Sequence, residues 1–224
     1  MKKIVIKNLN KIYNANKSNE FCALKNINLE IEDGEIIVLK GVSGSGKSTL
    51  LSLLGAISKP TNGEIMVNGQ NIAKLPDIMS SSYRHTEVGF IFQAFNLLEG
   101  LSVIQNVIAP LSLTNLSEDA VREKVNKALL IANIEHKKDQ KVASLSGGEK
   151  QRCAIARALV MEPNIILADE PTANLDKKNS LLFIEILEKF KLLNKTVIIA
   201  THDVLFDNLA FVDKYVNIQD GVIV

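Results

Sequence analysis

The chain has 224 residues, 46% hydrophobic and 23% charged, enough for one sizeable core and unlike disordered, collagen-like or disulfide-scaffold proteins. Its 26 basic and 25 acidic residues leave a net charge of +1, so no global field draws it to nucleic acid or to an anionic bilayer. No run reaches the ~18–20 apolar residues that cross a membrane, and the opening MKKIVIKNLNKIY has no apolar leader core. A soluble, untargeted cytoplasmic chain is expected, with any membrane spans supplied by a separate polypeptide. Cys22 and Cys153 lie far apart without a CxxC or CxxH pattern and read as small buried hydrophobes in a reducing compartment.

In chain order, the segments IVIKNLNKIY, INLEIEDGE and GEIMVNGQNI alternate apolar and polar residues. With turn signals at Asp33-Gly34, Asn62-Gly63 and Asn68-Gly69, they predict a small antiparallel sheet on one flank. The apolar run EIIVLK then leads into GVSGSGKST at residues 41–49, followed by Leu50, Leu51, Leu53 and Leu54. Strand, Gly-rich loop and helix in that order make a P-loop. Gly41, Ser43, Gly44, Ser45, Gly46 and Thr49 would wrap phosphates with backbone N–H groups at a helix N-terminus, Lys47 would reach the β- and γ-phosphates, and Ser48 would offer a hydroxyl to Mg²⁺.

From about Ala94 to Val160 the strand signals fade. Ser117 before Glu118 and Asp119 reads as a helix start, and Val121, Val125, Leu129 and Ala132 recur on one helical face, which predicts a helical lobe between strands of the core. At its end stands LSGGEKQR, residues 145–152. Ser146 can cap a helix starting near Gly148, and Gly147 and Gly148 bare N–H groups at the positive end of its dipole, a second anion site. A cap with no ligand would explain the same residues, and a single nucleotide needs one cradle.

Two strand patterns follow. In NIILADEP, residues 165–168 read as a buried strand with Asp169 and Glu170 at its carboxyl end, the edge where open α/β sheets bind ligands. Asp169 suits a Mg²⁺ shell and Glu170 a base for an attacking water; a solvated acidic turn is the plain alternative. TVIIATHD again ends in polar residues, with His202 where the γ-phosphate of a nucleotide on the same edge would lie; a lone histidine after a strand is more often structural, but the shared carboxyl edge reverses that and makes His202 a candidate catalytic residue. DKKNSLLFIEILEKF and VLFDNLA read as the helical stretches after these strands, and His85 and His136 as surface residues.

LSGGEKQR followed by AIARALVMEPNIILADEPTANLD, with the P-loop, the Asp-Glu pair and the histidine in order, resembles the ATPase subunit of ABC transporters over nearly the whole chain. The resemblance implies an α/β fold: a P-loop NTPase core with a mainly parallel sheet, an antiparallel β flank and an inserted helical lobe. It implies one domain over residues 1–224, with 1–93 and 160–224 as the nucleotide-binding core and 94–159 as the lobe. ATP and Mg²⁺ are the implied ligands. The family forms a head-to-tail homodimer, in which the P-loop of one copy and the LSGGE signature of the other hold each ATP.

The same resemblance gives Tyr13 the adenine-stacking place. It gives Gln93, in GFIFQ, the link from Mg²⁺ and water to the lobe, and Asp176, in ANLD, the crossing of the dimer interface. FQAFNLLEGLSVIQNV and ADEPTANLD look like the lipoprotein-releasing, macrolide-export and cell-division ATPases, although Glu99 and Ala173 stand where that group usually has proline and glycine. The implied function is ATP hydrolysis that drives an integral membrane permease, with the chain peripheral at the inner face of the cell membrane and no nucleic acid bound. Force transmission without transport is an alternative, as is a soluble ABC protein acting on nucleic acid or ribosomes. The soluble class usually has a second cassette, a coiled-coil insertion or a basic arm. A P-loop kinase would leave LSGGE and ANLD unexplained.

Overall fold

In the computed structural model, residues 2–224 are described, with side chains from residue 3 onward. Continuous apolar runs build the central strands β3 (Ile36–Lys40), β7 (Ile165–Asp169) and β8 (Thr196–Ala200), which are buried along almost their full length. Parallel strands covered on both faces need such runs rather than alternation. With β6 (Val88–Ile91), β9 (Lys214–Gln219) and β10 (Val222–Ile223) they form a six-stranded sheet in the order β10-β9-β3-β8-β7-β6. All its pairings are parallel except β10 on β9.

The pleat divides the core in two. Ile37, Leu39, Ile165, Leu167, Ile198 and Ala200 face α1 (Lys47–Leu54) and the flanking sheet. That sheet is antiparallel, in the order β2-β1-β4-β5, from β1 (Lys2–Tyr13), β2 (Phe21–Glu32), β4 (Asn62–Val67) and β5 (Gln70–Asn71). The alternate residues Ile36, Val38, Ile166, Ala168, Val197 and Ile199 face α3 (Val103–Ile108), α4 (Glu118–Ile131), α5 (Gly147–Leu159) and α6 (Lys177–Leu192). α3, α4 and α5 pack on one another, and the expected face of α4 is the buried one, with Val125, Leu129 and Ala132 at most 1% exposed.

Several expectations need correction. Of the three turn signals, Asp33-Gly34 and Asn68-Gly69 are turns, and Asn68-Gly69 closes the β4–β5 hairpin with φ of 49° and 81°, as a two-residue turn requires. The Asp33-Gly34 turn carries the chain from one sheet to the other, whereas Asn62-Gly63 lies inside β4, where a Cβ on Gly63 would come 2.5 Å from Asn8 O. VLFDNLA makes only a single 3₁₀ turn, Val204–Phe206, because Asp203 accepts from Leu205 N and Lys40 holds the Asp203 carbonyl and the Asp207 carboxylate. Cys22 is half-buried at the β1–β2 hairpin rather than in the core, His85 is half-buried, and Cys153 is fully buried. α2 (Asp77–Glu87), β6, β9 and β10 add to the elements that the sequence patterns predict. Among the described residues no helix is long and apolar enough to cross a membrane.

Candidate active site

The P-loop leaves β3 and enters α1 with Gly41, Gly44 and Gly46 at positive φ. At Gly46, φ is 111° and a Cβ would lie 2.7 Å from Ala23 O and 2.8 Å from Leu24 Cδ2, so the turn admits only glycine. The loop borders a cleft of about 300 Å³ lined by residues 43–49 together with Phe21, Ala23, Gln93, Glu170 and His202. Lys47 is 4% exposed, and its Nζ donates to the carbonyls of Gly41 and Val42 at 2.7 and 3.0 Å. Ser45 Oγ is buried without a hydrogen-bond partner against Gly41, where a Cβ would come within 2.7 Å of it.

The opposite wall comes from the carboxyl ends of β7 and β8. Ser48 Oγ donates to Asp169 Oδ1 at 2.8 Å, joining the first turn of α1 to the end of β7. Burial pushes the Asp169 carboxyl up, against the Ser48 hydrogen bond, which pulls it down. Glu170 takes φ 43°, rare for a side chain of its size, and its N–H donates to Ala200 O at 2.8 Å. Its Oε1 lies 3.0 Å from His202 Nδ1 and 3.8 Å from Lys47 Nζ. Strain held by surrounding bonds at a ligand cleft is a mark of a working site.

The LSGGE segment is a separate construction. Ser146 is the N-cap of α5 in a capping box: Glu149 N–H donates to Ser146 Oγ, and Ser146 N–H donates to Glu149 Oε2 at 2.9 Å. Lys137 pairs with Glu149 at 3.3 Å, and the Ser146 N–H bond holds that carboxyl below its usual range. The helix begins at Gly147, one residue earlier than expected. Asp176 caps α6 by accepting from Asn179 N–H at 2.8 Å.

The fold thus brings Ser43, Gly44, Ser45, Gly46, Lys47, Ser48, Thr49, Gln93, Glu170 and His202 to one cleft, with Asp169 bonded to its edge. Ser146, Gly147, Gly148 and Asp176 do not line it, and Gly41 only supports it from below through the Lys47 bond. Tyr13 is also outside the lining, at the end of β1 with Lys11 Nζ 4.8 Å from its ring centroid; its cross-strand neighbour Phe21, 57% exposed, lines the cleft instead.

A family profile described as ABC transporter matches residues 24–173. The chain is similar to the lipoprotein-releasing system ATP-binding protein LolD of Pseudoalteromonas translucida, 40% identical over 97% of this chain and 93% of that one. It is also similar to the macrolide export ATP-binding/permease protein MacB of Chlorobium luteolum, 40% identical over 90% of this chain but only 30% of that longer protein. Among solved structures, dimeric MJ0796, described as a bacterial ABC transporter cassette, matches with a TM-score of 0.90 at 37% identity over 98% of this chain and 96% of that one. A second structure of that cassette, a dimeric post-hydrolysis state bound to ADP and Pi, matches with a TM-score of 0.89, again at 37% identity and with the same coverage. With a phosphate cradle facing a carboxylate–histidine pair, and with these relatives along nearly its whole length, the chain belongs to the ABC transporter family as an ATP-hydrolysing cassette.

Proposed function

We propose that two copies of the chain close head to tail over two ATP molecules and drive a separate integral membrane permease of the lipoprotein-release or macrolide-export type. The observation that carries this reading is the separation of the two anion-binding elements: the N-terminus of α5, with Ser146, Gly147 and Gly148, does not line the chain's own P-loop cleft. A second copy gives those donors an ATP to meet. The dimeric cassettes among the structural relatives support it.

Within one half-site, Lys47 Nζ turns from the carbonyls of Gly41 and Val42 to the β- and γ-phosphates, while the P-loop N–H groups bind the phosphate oxygens. Glu170 orients the attacking water and accepts its proton, with His202 Nδ1 holding the carboxylate at 3.0 Å. Ser146 Oγ and the N–H groups of α5 from the second copy complete the shell of donors around the transferring phosphoryl group. Ser48 and Asp169 present a hydroxyl and a carboxylate oxygen on one side of the cleft, with Gln93 beside them, an oxygen donor set that suits Mg²⁺. When bound, Mg²⁺ neutralises charge on the β- and γ-phosphates.

Residues 94–159 serve as the lever. A groove of about 300 Å³ beside the stacked Phe90 and Phe92 rings, bordered by His85, Asn96, Pro110 and Arg157, takes a segment of the permease. Arg157 holds the carbonyls of Phe95 and Asn96, so this groove shares its wall with the stretch leading out of Gln93. The chain then sits at the membrane's inner face through its permease. Ser146→Arg tests the intersubunit site: ATPase activity should be lost while nucleotide affinity at the P-loop stays within about twofold of wild type. Equal loss of both would contradict it.

A further inference from the structure

The segment between Asn174 and Asn179 touches the signature helix α5 and, through Gln93, the wall of the P-loop cleft. Asn179, in the first turn of α6, accepts from Arg152 Nη1 at 2.8 Å through Oδ1. Its Nδ2 donates to Asp176 Oδ1 at 2.9 Å, and its backbone N–H donates to the same oxygen at 2.8 Å. A Cβ on Gly148 would fall 2.1 Å from Asn179 Oδ1 and 2.2 Å from its Cγ, so the backbone of α5 at the second signature glycine lies directly on this amide. At the other end, Asn174 Nδ2 donates to the carbonyl of Gln93 at 3.1 Å, and Asn174 O faces Gly147 at 3.3 Å from where its Cβ would be.

The chemistry of position 179 is specific. One end of the side chain must accept from a guanidinium and the other must donate to a carboxylate, which an amide does and neither a carboxylate nor an alkyl group can. Arg152 is half-buried with its Nε unpartnered, so the Asn179 bond is one of few that its charge has in place of water.

We propose that Asn179 is a positioning residue that clamps residues 174–179 to the signature helix, so that Asp176 and residues 146–148 meet the partner copy's nucleotide as one rigid piece. The proposal rests on the intersubunit reading above. Through the Asn174–Gln93 bond the same piece is tied to the chain's own cleft, so each copy couples the half-site it lends to the half-site it keeps.

Asn179→Ala and Asn179→Asp should each lower kcat/KM for ATP hydrolysis at least tenfold, with nucleotide affinity at the P-loop of the single chain within about twofold of wild type. Asn179→Asp keeps the acceptor for Arg152 but sets a carboxylate against Asp176, so its failure separates the clamp from simple loss of volume. The double variant Arg152→Ala/Asn179→Ala should be no worse than the more damaged single variant, because the two share one bond; additive losses would overturn the clamp. In a Glu170→Gln background, adding Asn179→Ala should raise the ATP concentration needed for dimer formation about tenfold. If Glu170→Gln alone never dimerises, the intersubunit reading fails and the clamp with it. If Glu170→Gln dimerises, and Asn179→Ala changes neither its ATP requirement nor kcat/KM and lowers only the melting temperature, the clamp alone is overturned.

Discussion

Glu170 shows what one residue costs this fold and what it does in return. Its φ of 43° places the carboxylate against His202 Nδ1, and the anchor from its N–H to Ala200 O keeps it there. Loss of His202 leaves Glu170 free to turn away from the water, so His202→Ala should lower kcat by roughly 10²-fold with little change in KM, read by steady-state phosphate release. Gly46→Ala meets Ala23 O at 2.7 Å in a conformation costing roughly 1–3 kcal/mol, and should abolish nucleotide binding as well as lower the melting temperature. Both residues were legible in the sequence because each belongs to a short local pattern, a Gly-rich loop or a strand end. Phe21 and Ala23 were not, because they reach the cleft only through the pairing of β1 with β2 and the packing of β2 on Gly46. Tyr13, given the adenine-stacking place by resemblance, lies outside the cleft lining while Phe21 lies within it. Phe21→Ala should therefore raise KM for ATP more than Tyr13→Ala does, measured side by side.

Elements are tied to one another by side chains that cap and pair. Lys124 and Lys127 of α4 both pair with Glu162, just past the end of α5, and hold its carboxyl at about 2. The ordinary value is 4.5, so the folded form is stabilised fully above that pH and the stabilisation fades as pH falls towards about 2. Glu162→Gln should therefore show a smaller loss of melting temperature than wild type between about pH 5 and about pH 3, with the size of the effect limited by solvent screening of this partly exposed pair. α3, α4 and α5 each begin at a serine cap, which is why the start of α4 and the approximate start of α5 could be read from sequence alone. β6 is not legible because four residues, VGFI, give too short a pattern, whereas β9 and β10 carry a local signal in KYVNIQDGVIV, whose Asp220-Gly221 takes φ of 49° and 80° between the paired strands. VLFDNLA has helical spacing, but side-chain bonds to Asp203 and Asp207 hold it as a single turn, a local competition that periodicity does not reveal.

At the scale of the whole molecule, one sheet edge holds the phosphate cleft, and the start of α5 offers donors that the cleft of the same chain does not use. The groove beside Phe90 and Phe92 lies on the segment running out of the cleft at Gln93, so movement at the nucleotide can reach a bound partner. His85→Glu puts a charge into that groove away from the cleft. It should leave the ATPase activity of the isolated chain within about twofold of wild type and weaken co-purification with the permease, since the added carboxylate must lose its water when a partner segment fills the groove. The central claim is that an ATP-loaded chain is half of a site and closes on a second copy. Light scattering of Glu170→Gln, which retains the cradle and loses the base, measures this most directly. With ATP and Mg²⁺ the account predicts a particle of twice the 24.6 kDa chain that reverts to the single chain when nucleotide is removed. A variant that binds ATP and remains at 24.6 kDa at every nucleotide and protein concentration would contradict it.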